Sequence, residues 1–204
     1  MTPAELTALL LFCTAMSFSP GPNTTLSTAL AANGGLPRAL HFCLAVPTGW
    51  LLLMIGSGLG LGALVLNAPA LRWAVKVAGV AYMVWLAWKL ANAAQLAQVD
   101  ERRLRVTFVQ GVGLQFLNIK AWMLALTLTA GWVVNAAGRP ATNPGQRLAE
   151  ISAIMVVFAF TSNFTYALVG SLLRGWLAQG RRLLWFNRIL SLVLLGTAAW
   201  MLTV

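Results

Sequence analysis

Ser19-Pro20-Gly21-Pro22-Asn23 interrupts an apolar stretch that runs from Leu6 to Ala32. Proline removes a backbone donor and clashes with the preceding turn, so this sequence predicts a helix that opens between Ser17 and Asn23. An opened helix within a bilayer is tolerated where its freed backbone groups face protein or a water-filled cavity, which is how transporters build solute sites. A kink that only bends the helix around its neighbours is the alternative interpretation.

The composition is that of a membrane protein. Of 204 residues, 59% are hydrophobic and 9% are charged, which is about a third of the charged fraction in a soluble domain. The net charge is +10, but the basic residues are scattered singly between apolar runs. This pattern predicts loops that face lipid and fix the topology, and no binding to nucleic acid. Cys13 and Cys43 lie in apolar segments and are interpreted as core residues.

Six apolar segments are long enough to cross a hydrocarbon layer, which needs about 20 helical residues. They are Leu6 to Ala32, Phe42 to Leu66, Trp73 to Ala94, Phe108 to Val134, Ile151 to Leu173 and Leu183 to Val204. No linker between them is long enough to separate two soluble domains. The sequence therefore predicts an all-α integral membrane protein with six transmembrane helices in one domain, residues 1–204.

A weak internal repeat divides this domain. Trp73 to Trp88 and Trp185 to Trp200 align at an offset of 112 residues, and Lys76 then falls on Arg188. Polar residues at Leu117 to Trp122 interrupt the fourth segment as the prolines interrupt the first. Because three is odd, the pattern predicts two inverted three-helix repeats, about 1–97 and 106–204, with broken helices 1 and 4.

The basic residues predict the orientation. The first, third and fifth loops with their flanks hold nine of them, and the second and fourth hold four: Arg38, Lys89, Arg102, Arg103, Arg105, Arg174, Arg181, Arg182 and Arg188 against Arg72, Lys76, Arg139 and Arg147. By the positive-inside rule the richer side faces the cytoplasm. Both termini are therefore predicted to be periplasmic.

Lys120 is the ionisable residue well inside a predicted span. Burying a lysine there costs about 2.5 to 3.5 kcal/mol on insertion scales, and no Asp or Glu lies within any span to pair with it. The carboxylate of a solute would supply the missing charge. The alternative is that Lys120 lies near the interface and extends its ammonium group into water.

Polar side chains near the two interruptions complete the predicted substrate site. Asn23 and Asn118 each offer an amide donor and acceptor beside freed backbone groups. The fifth segment carries Thr161-Ser162-Asn163 and Tyr166, which either line the same cavity or form hydrogen bonds between helices. The predicted substrate-binding residues are Ser19, Pro20, Gly21, Pro22, Asn23, Asn118, Lys120, Asn163 and Tyr166.

At these motifs the sequence resembles the LysE/RhtB family of amino-acid exporters. The family pattern is matched in three helices by Ser19 to Pro22, by Lys76, Gly79, Tyr82 and Leu86, and by Phe108, Gly111 and Asn118 to Ala121. Ile119 stands where the family has proline. The stretch from Gln115 to Trp122 looks most like the branch that exports cysteine and O-acetylserine.

The resemblance implies efflux of an amino acid or its derivative across a bacterial inner membrane, driven by proton antiport. No residue in the spans is an obvious proton carrier, since His41 lies by the first cytoplasmic loop. The expected partners are a small amino acid, the lipid bilayer and, as one option, a second copy in a homodimer. No cofactor and no enzymatic activity are expected. Two alternatives stay open, a divalent-metal exporter of a related plan and a membrane scaffold that transports nothing.

Overall fold

The structure is a computed structural model that describes residues 1–60, 68–93, 106–133 and 142–203. The described residues form helices and no strands. The elements are α1 Pro3–Phe18, α2 Pro22–Gly34, α3 Leu36–Gly58, α4 Pro69–Ala91, α5 Phe108–Leu117, α6 Ile119–Leu128, a π-helix at Thr129–Val133, α7 Pro144–Leu177 and α8 Arg182–Thr203.

These helices confirm the all-α membrane class. Four of them are long and apolar enough to cross a membrane alone, namely α3, α4, α7 and α8. The pair α1 and α2 is bent by 51°, and the pair formed by α5 and α6 with its π-helix is bent by 69°. If each bent pair is one span, the described residues supply six spans. The element order is then a broken span followed by two long helices, and the same order occurs twice.

Two helices begin more than five residues earlier than the hydrophobic pattern predicts. α3 begins at Leu36 rather than Phe42, because Gly35 alone, with φ of 82°, separates it from α2. α7 begins at Pro144 rather than Ile151. In both helices proline occupies the first turn, where its fixed φ suits a helix and its missing N–H is not needed. The predicted segment ends at Leu66, Ala94, Val134 and Val204 lie outside the described residues.

α2 is the central helix of the fold. Ten of its thirteen residues are buried, and it packs against α7, α3 and α8. α7 approaches it closely at Gly170, where a methyl group would collide with the backbone of Thr28. By contrast, α1 buries Leu9 and Cys13 and packs mainly against α7. The first broken span therefore joins a half-helix at the edge of the bundle to one at its centre.

An ion pair joins three elements at the end of the molecule that carries the N-terminus. Arg147 of α7 donates to Glu5 of α1 at 3.0 Å and to the Trp132 carbonyl oxygen at 3.3 Å. The Trp132 indole N–H donates to the Glu5 carbonyl oxygen at 3.2 Å. α1, α7 and the π-helix that ends the second broken span are thus fastened together here.

Candidate substrate site

The first break occupies Ser19 to Gly21, as the two prolines predict. α1 ends at Phe18, and Pro22 opens α2. The hydroxyl of Ser19 donates to the Met16 carbonyl oxygen at 2.8 Å, and the Gly21 N–H donates to the Thr24 hydroxyl at 3.0 Å. Local side chains therefore satisfy backbone groups that the break releases from the helix ladder.

The second break is at Asn118, and it forms without the family proline. Asn118 is extended, with φ of −93° and ψ of 101°, and its side-chain oxygen accepts the Lys120 N–H at 3.2 Å. This is the hydrogen bond of a helix N-cap, a position that asparagine favours. The Trp122 indole N–H donates to the Phe116 carbonyl oxygen at 2.8 Å across the break. Capping by Asn118 thus opens the helix although Ile119 follows it.

Lys120 joins the two breaks. Its ammonium group donates to the Ser19 hydroxyl at 2.6 Å and to the Ser19 carbonyl oxygen at 3.4 Å. The ammonium also lies against the backbone of Gly21, where a β-carbon would be 3.4 Å from it. Since Lys120 is half-buried, its charge is held between the helix ends and does not face open lipid.

The breaks enclose a small cavity of mixed polarity. It leaves about 40 Å³ for the centres of water molecules, enough for about three of them. Its wall holds Met16, Ser17, Ser19, Gly21, Pro22, Asn23, Thr24, Trp50, Asn118, Lys120, Ala121, Leu124, Met155, Ala159, Ser162 and Asn163. Lys120 is the charged side chain among these lining residues, and none of them is acidic.

The structure brings seven of the nine predicted site residues to this wall, and Pro20 and Tyr166 do not line it. Pro20 is exposed. The Tyr166 hydroxyl donates to the Phe18 carbonyl oxygen at 2.9 Å, which the end of α1 leaves without a helical partner. Tyr166 therefore braces the first break from α7.

Sequence reasoning did not single out several polar residues of the site. Gln115 is fully buried on α5, and its amide exchanges two hydrogen bonds with Asn23, at 2.8 and 3.1 Å. The Ser27 hydroxyl donates at 2.8 Å to the side-chain oxygen of Asn163, which lines the cavity. Gln115 could have been noticed in the sequence as a polar residue that lies one helical turn before Asn118 in an apolar span.

The chemistry of the described residues does not favour a metal. Within the described ranges, no three His, Cys, Asp or Glu side chains lie close enough to hold an ion. Cys13 and Cys43 are free and buried, and Cys13 contacts the Met155 sulfur at 3.3 Å. His41 is exposed and outside the cavity wall. The cavity instead offers an ammonium group, two helix N-termini and amide groups, which suit a small polar or anionic solute.

Apolar spans around a cavity that holds polar groups at two broken helices are typical of a multi-pass membrane transporter. Residues 14–203 match the family model described as LysE type translocator. The chain therefore belongs to the LysE-type translocator family, whose members are transporters of the inner membrane and not enzymes. The break in the first span and this membership both count against a scaffold that transports nothing.

Curated relatives cover nearly the whole chain. A cysteine/O-acetylserine efflux protein of Salmonella choleraesuis is 29% identical over 200 residues, 97% of each chain. Proteins with that same description from Escherichia coli O139:H28 and Klebsiella pneumoniae are 28% and 27% identical, over 97% and 91% of this chain and 97% and 92% of theirs. No solved structure matches the chain.

Proposed function

We propose that this protein exports a small zwitterionic amino acid and binds its carboxylate at Lys120. The observation that carries the proposal is the environment of the ammonium group. Within the described residues its hydrogen-bond partners are two neutral oxygens of Ser19, and no acidic residue lines the cavity. A lysine held away from bulk water needs a counter-charge, and a substrate carboxylate supplies one.

Two helix N-termini support an anion at the same place. α2 begins beside Lys120 at Pro22, and α6 begins at Ile119 directly after the cap. The N-terminus of a helix carries a partial positive charge and backbone N–H groups without helical partners. A carboxylate at the junction would therefore interact favourably with Lys120 and with both helix ends.

The dimensions of the cavity favour a small substrate. Besides its polar groups, the wall contains Trp50, Met16, Met155 and Leu124, and the cavity leaves only about 40 Å³ for the centres of water molecules. The described relatives are named for efflux of cysteine and O-acetylserine, both of which are small. We therefore propose a substrate of this size class, with its side chain against the apolar part of the wall.

We further propose that proton antiport drives efflux, as the resemblance to amino-acid exporters implies. The lining residues offer no carboxylate or imidazole to carry the proton. Collapse of both the pH gradient and the electrical potential across inverted membrane vesicles by a protonophore should abolish accumulation of substrate. Undiminished accumulation would contradict proton coupling and leave the binding site unaffected.

Replacement of Lys120 tests the proposed site. Lys120→Met keeps most of the stem volume and removes the charge, so the protein should still insert. Loss of one charge-assisted contact in a desolvated site costs about 1.5 to 3 kcal/mol, roughly 10- to 150-fold in affinity. The measurement is uptake of radiolabelled cysteine and O-acetylserine into inverted vesicles, normalised to the amount of protein in the membrane.

Lys76→Met is the matched control. Lys76 lies on α4, its ammonium group 5.4 Å from the Trp73 ring centre, and it does not line the cavity. This variant should transport like the wild type. Full transport by Lys120→Met at normal abundance would rule out the carboxylate site. Transport of neither amino acid by the wild-type protein would rule out this substrate class.

A further inference from the structure

We infer that Gln115 is a positioning residue that fixes how Asn23 presents its amide group to the transported amino acid. The inference rests on the proposed function. Asn23 lines the cavity, whereas Gln115 lies behind it, fully buried on α5. The two side chains are 92 positions apart in the sequence and join the two broken spans directly.

A backbone carbonyl determines the orientation of both amides. The Gln115 amide nitrogen donates to the Gly111 carbonyl oxygen at 3.1 Å. Because a carbonyl only accepts, the nitrogen of Gln115, and not its oxygen, must lie on this side. The same nitrogen donates to the Asn23 oxygen at 3.1 Å, and the Asn23 nitrogen donates to the Gln115 oxygen at 2.8 Å. The orientation of Asn23 therefore follows from that of Gln115.

Close packing keeps Gln115 in this rotamer. α3 passes it at Gly49, where a methyl group would collide with the Gln115 stem and lie 2.7 Å from the Val112 carbonyl oxygen. All the polar hydrogens of Gln115 are used, one toward Gly111 and one toward Asn23. Gln115 has neither a donor left for substrate nor space to turn toward it. Its contribution to transport must therefore act through Asn23.

The hydrogen bonds to Gln115 leave one donor and one acceptor of the Asn23 amide in fixed positions. One N–H and one lone pair of its amide take no partner in the described part of the chain. A zwitterion requires both kinds of contact, because its ammonium group donates and its carboxylate accepts. Lys120 supplies a donor on the carboxylate side, and the Asn23 oxygen supplies an acceptor. If the Asn23 amide turned over, its oxygen and its nitrogen would exchange places.

A second amide pair in this protein provides a matched control. Asn33 and Asn187 exchange two hydrogen bonds of 2.9 Å, and Asn33 also donates to the Ala29 carbonyl oxygen at 2.8 Å. Asn33 is on α2, ten positions after Asn23, and neither residue of this pair lines the cavity. Asn187 is as fully buried as Gln115. The two pairs thus match in chemistry and burial and differ in their proximity to the site.

The test compares Gln115→Met with Asn187→Leu, each of which keeps the number of side-chain heavy atoms within one and removes one amide. Uptake of radiolabelled cysteine and O-acetylserine into inverted vesicles gives KM and maximal rate, and thermal unfolding in detergent gives stability. Gln115→Met should raise KM roughly fivefold, the effect of one neutral hydrogen bond, with a smaller change in maximal rate. Asn187→Leu should lower stability and leave KM unchanged.

An unchanged KM in Gln115→Met would overturn the inference, as would an equal rise in Asn187→Leu. Either result leaves the Lys120 site standing, because that site is tested by Lys120→Met. If Gln115→Met does not reach the membrane, the exchange Asn23→Gln with Gln115→Asn decides the question. It preserves the pair but moves the cavity-facing amide by one carbon, so KM should rise at normal abundance. A wild-type KM in the exchange variant would also overturn the inference.

Discussion

One ammonium group sets the chemistry of the cavity. Lys120 is half-buried between two helix ends, and the oxygens of Ser19 satisfy its hydrogen bonds without neutralising its charge. Hydrogen bonds to neutral oxygens reduce the cost of burial, whereas neutralising the charge requires an anion. Under the proposed function, the substrate carboxylate would supply the counter-charge that Ser19 does not.

Asn118 allows a prediction about the second break. Asn118→Ala removes the oxygen that accepts the Lys120 N–H, and loss of such a cap costs about 1 kcal/mol. Thermal unfolding in detergent should show a small loss of stability, and export should fall less than in Lys120→Met. Asn118→Ser retains a capping oxygen and should restore most of the stability. Equal stability of the alanine and serine variants would show that the cap does not hold the break.

The sequence identified the site residues whose importance follows from their own chemistry. Lys120 and Asn118 stand out as polar groups in an apolar span, and the prolines at 20 and 22 mark the first break without a structure. Gln115 is equally polar, but its importance comes from a partner 92 positions away, and a single sequence does not show which distant side chains meet. The pairing of Asn33 with Asn187 was missed for the same reason.

At the scale of elements, the second break shows that an asparagine N-cap can interrupt a helix without a proline. Asn118 already has the extended conformation that a following proline favours, with φ of −93° and ψ of 101°. Ile119 is the first residue of α6, the position at which proline is favoured in helices. Ile119 therefore changes the chemistry of the break relative to the family pattern, while Asn118 keeps a conformation that is compatible with a following proline.

This geometry predicts that Ile119→Pro will be tolerated. Proline at a compatible position stabilises by about 0.4 to 1 kcal/mol, because it restricts the unfolded chain. Ile119→Pro should therefore unfold at the same or a slightly higher temperature and should export normally. As a contrast, Ala125→Pro inside α6 should disrupt the helix, since it removes an interior hydrogen bond. Marked destabilisation by Ile119→Pro would mean that the break depends on the isoleucine side chain.

Two glycines of α7 give a second prediction at this scale. Gly170 lies against the Thr28 backbone, where a β-carbon has no space, whereas Gly175 has nothing within 4 Å. Gly170→Ala must push α7 away from α2 and should lower the thermal unfolding temperature by several degrees. Gly175→Ala should be neutral or stabilising by up to about 1 kcal/mol, because alanine favours helix. Equal behaviour of the two variants would contradict the close contact between α2 and α7.

Element boundaries were less predictable than element number. Hydrophobicity places the start of a span where apolar residues begin, but a helix continues into polar residues as long as its backbone is satisfied. α3 thus starts at Leu36 and includes Arg38 and His41, and α7 starts two turns before Ile151. The π-helix at Thr129–Val133 was not expected either, since its hydrogen-bond register leaves no mark in the apolar pattern.

At the scale of the whole molecule, the two ends differ in charge. A β-carbon on Gly35, in the turn between α2 and α3, would lie 3.2 Å from the Arg174 guanidinium. Arg38 and His41 share a second cavity with Val106 and Thr107, which lead into α5. Parts of three loops therefore lie at one end of the molecule, namely the first loop, the last residues of the third loop and the start of the fifth loop. Arg147 and Glu5 are at the other end, because α7 runs the length of the molecule between Arg147 and Arg174.

This arrangement sharpens the predicted orientation. The first loop and the start of the fifth, which lie at one end, belong with the third loop to the set that carries nine of the basic residues by sequence, and the positive-inside rule predicts a cytoplasmic position for this set. The two inverted halves, about 1–97 and 106–204, stay a prediction of the same kind. Each half begins with a broken span, and an odd number of crossings in the first half would reverse the second.

Reporter fusions test the orientation directly. A reporter inserted near Arg103, in the third loop, should be active as a cytoplasmic protein, and one inserted near Gly138, in the fourth loop, should be active in the periplasm. A C-terminal fusion after Val204 should also report periplasm, because six crossings return the chain to the side on which it began. The reverse pattern at all three positions would place both termini in the cytoplasm and show that Arg72, Lys76, Arg139 and Arg147 outweigh the richer loops. If the two loop fusions report as expected but the C-terminal fusion reports cytoplasm, the chain crosses the membrane five times. That result would rule out the inverted repeat.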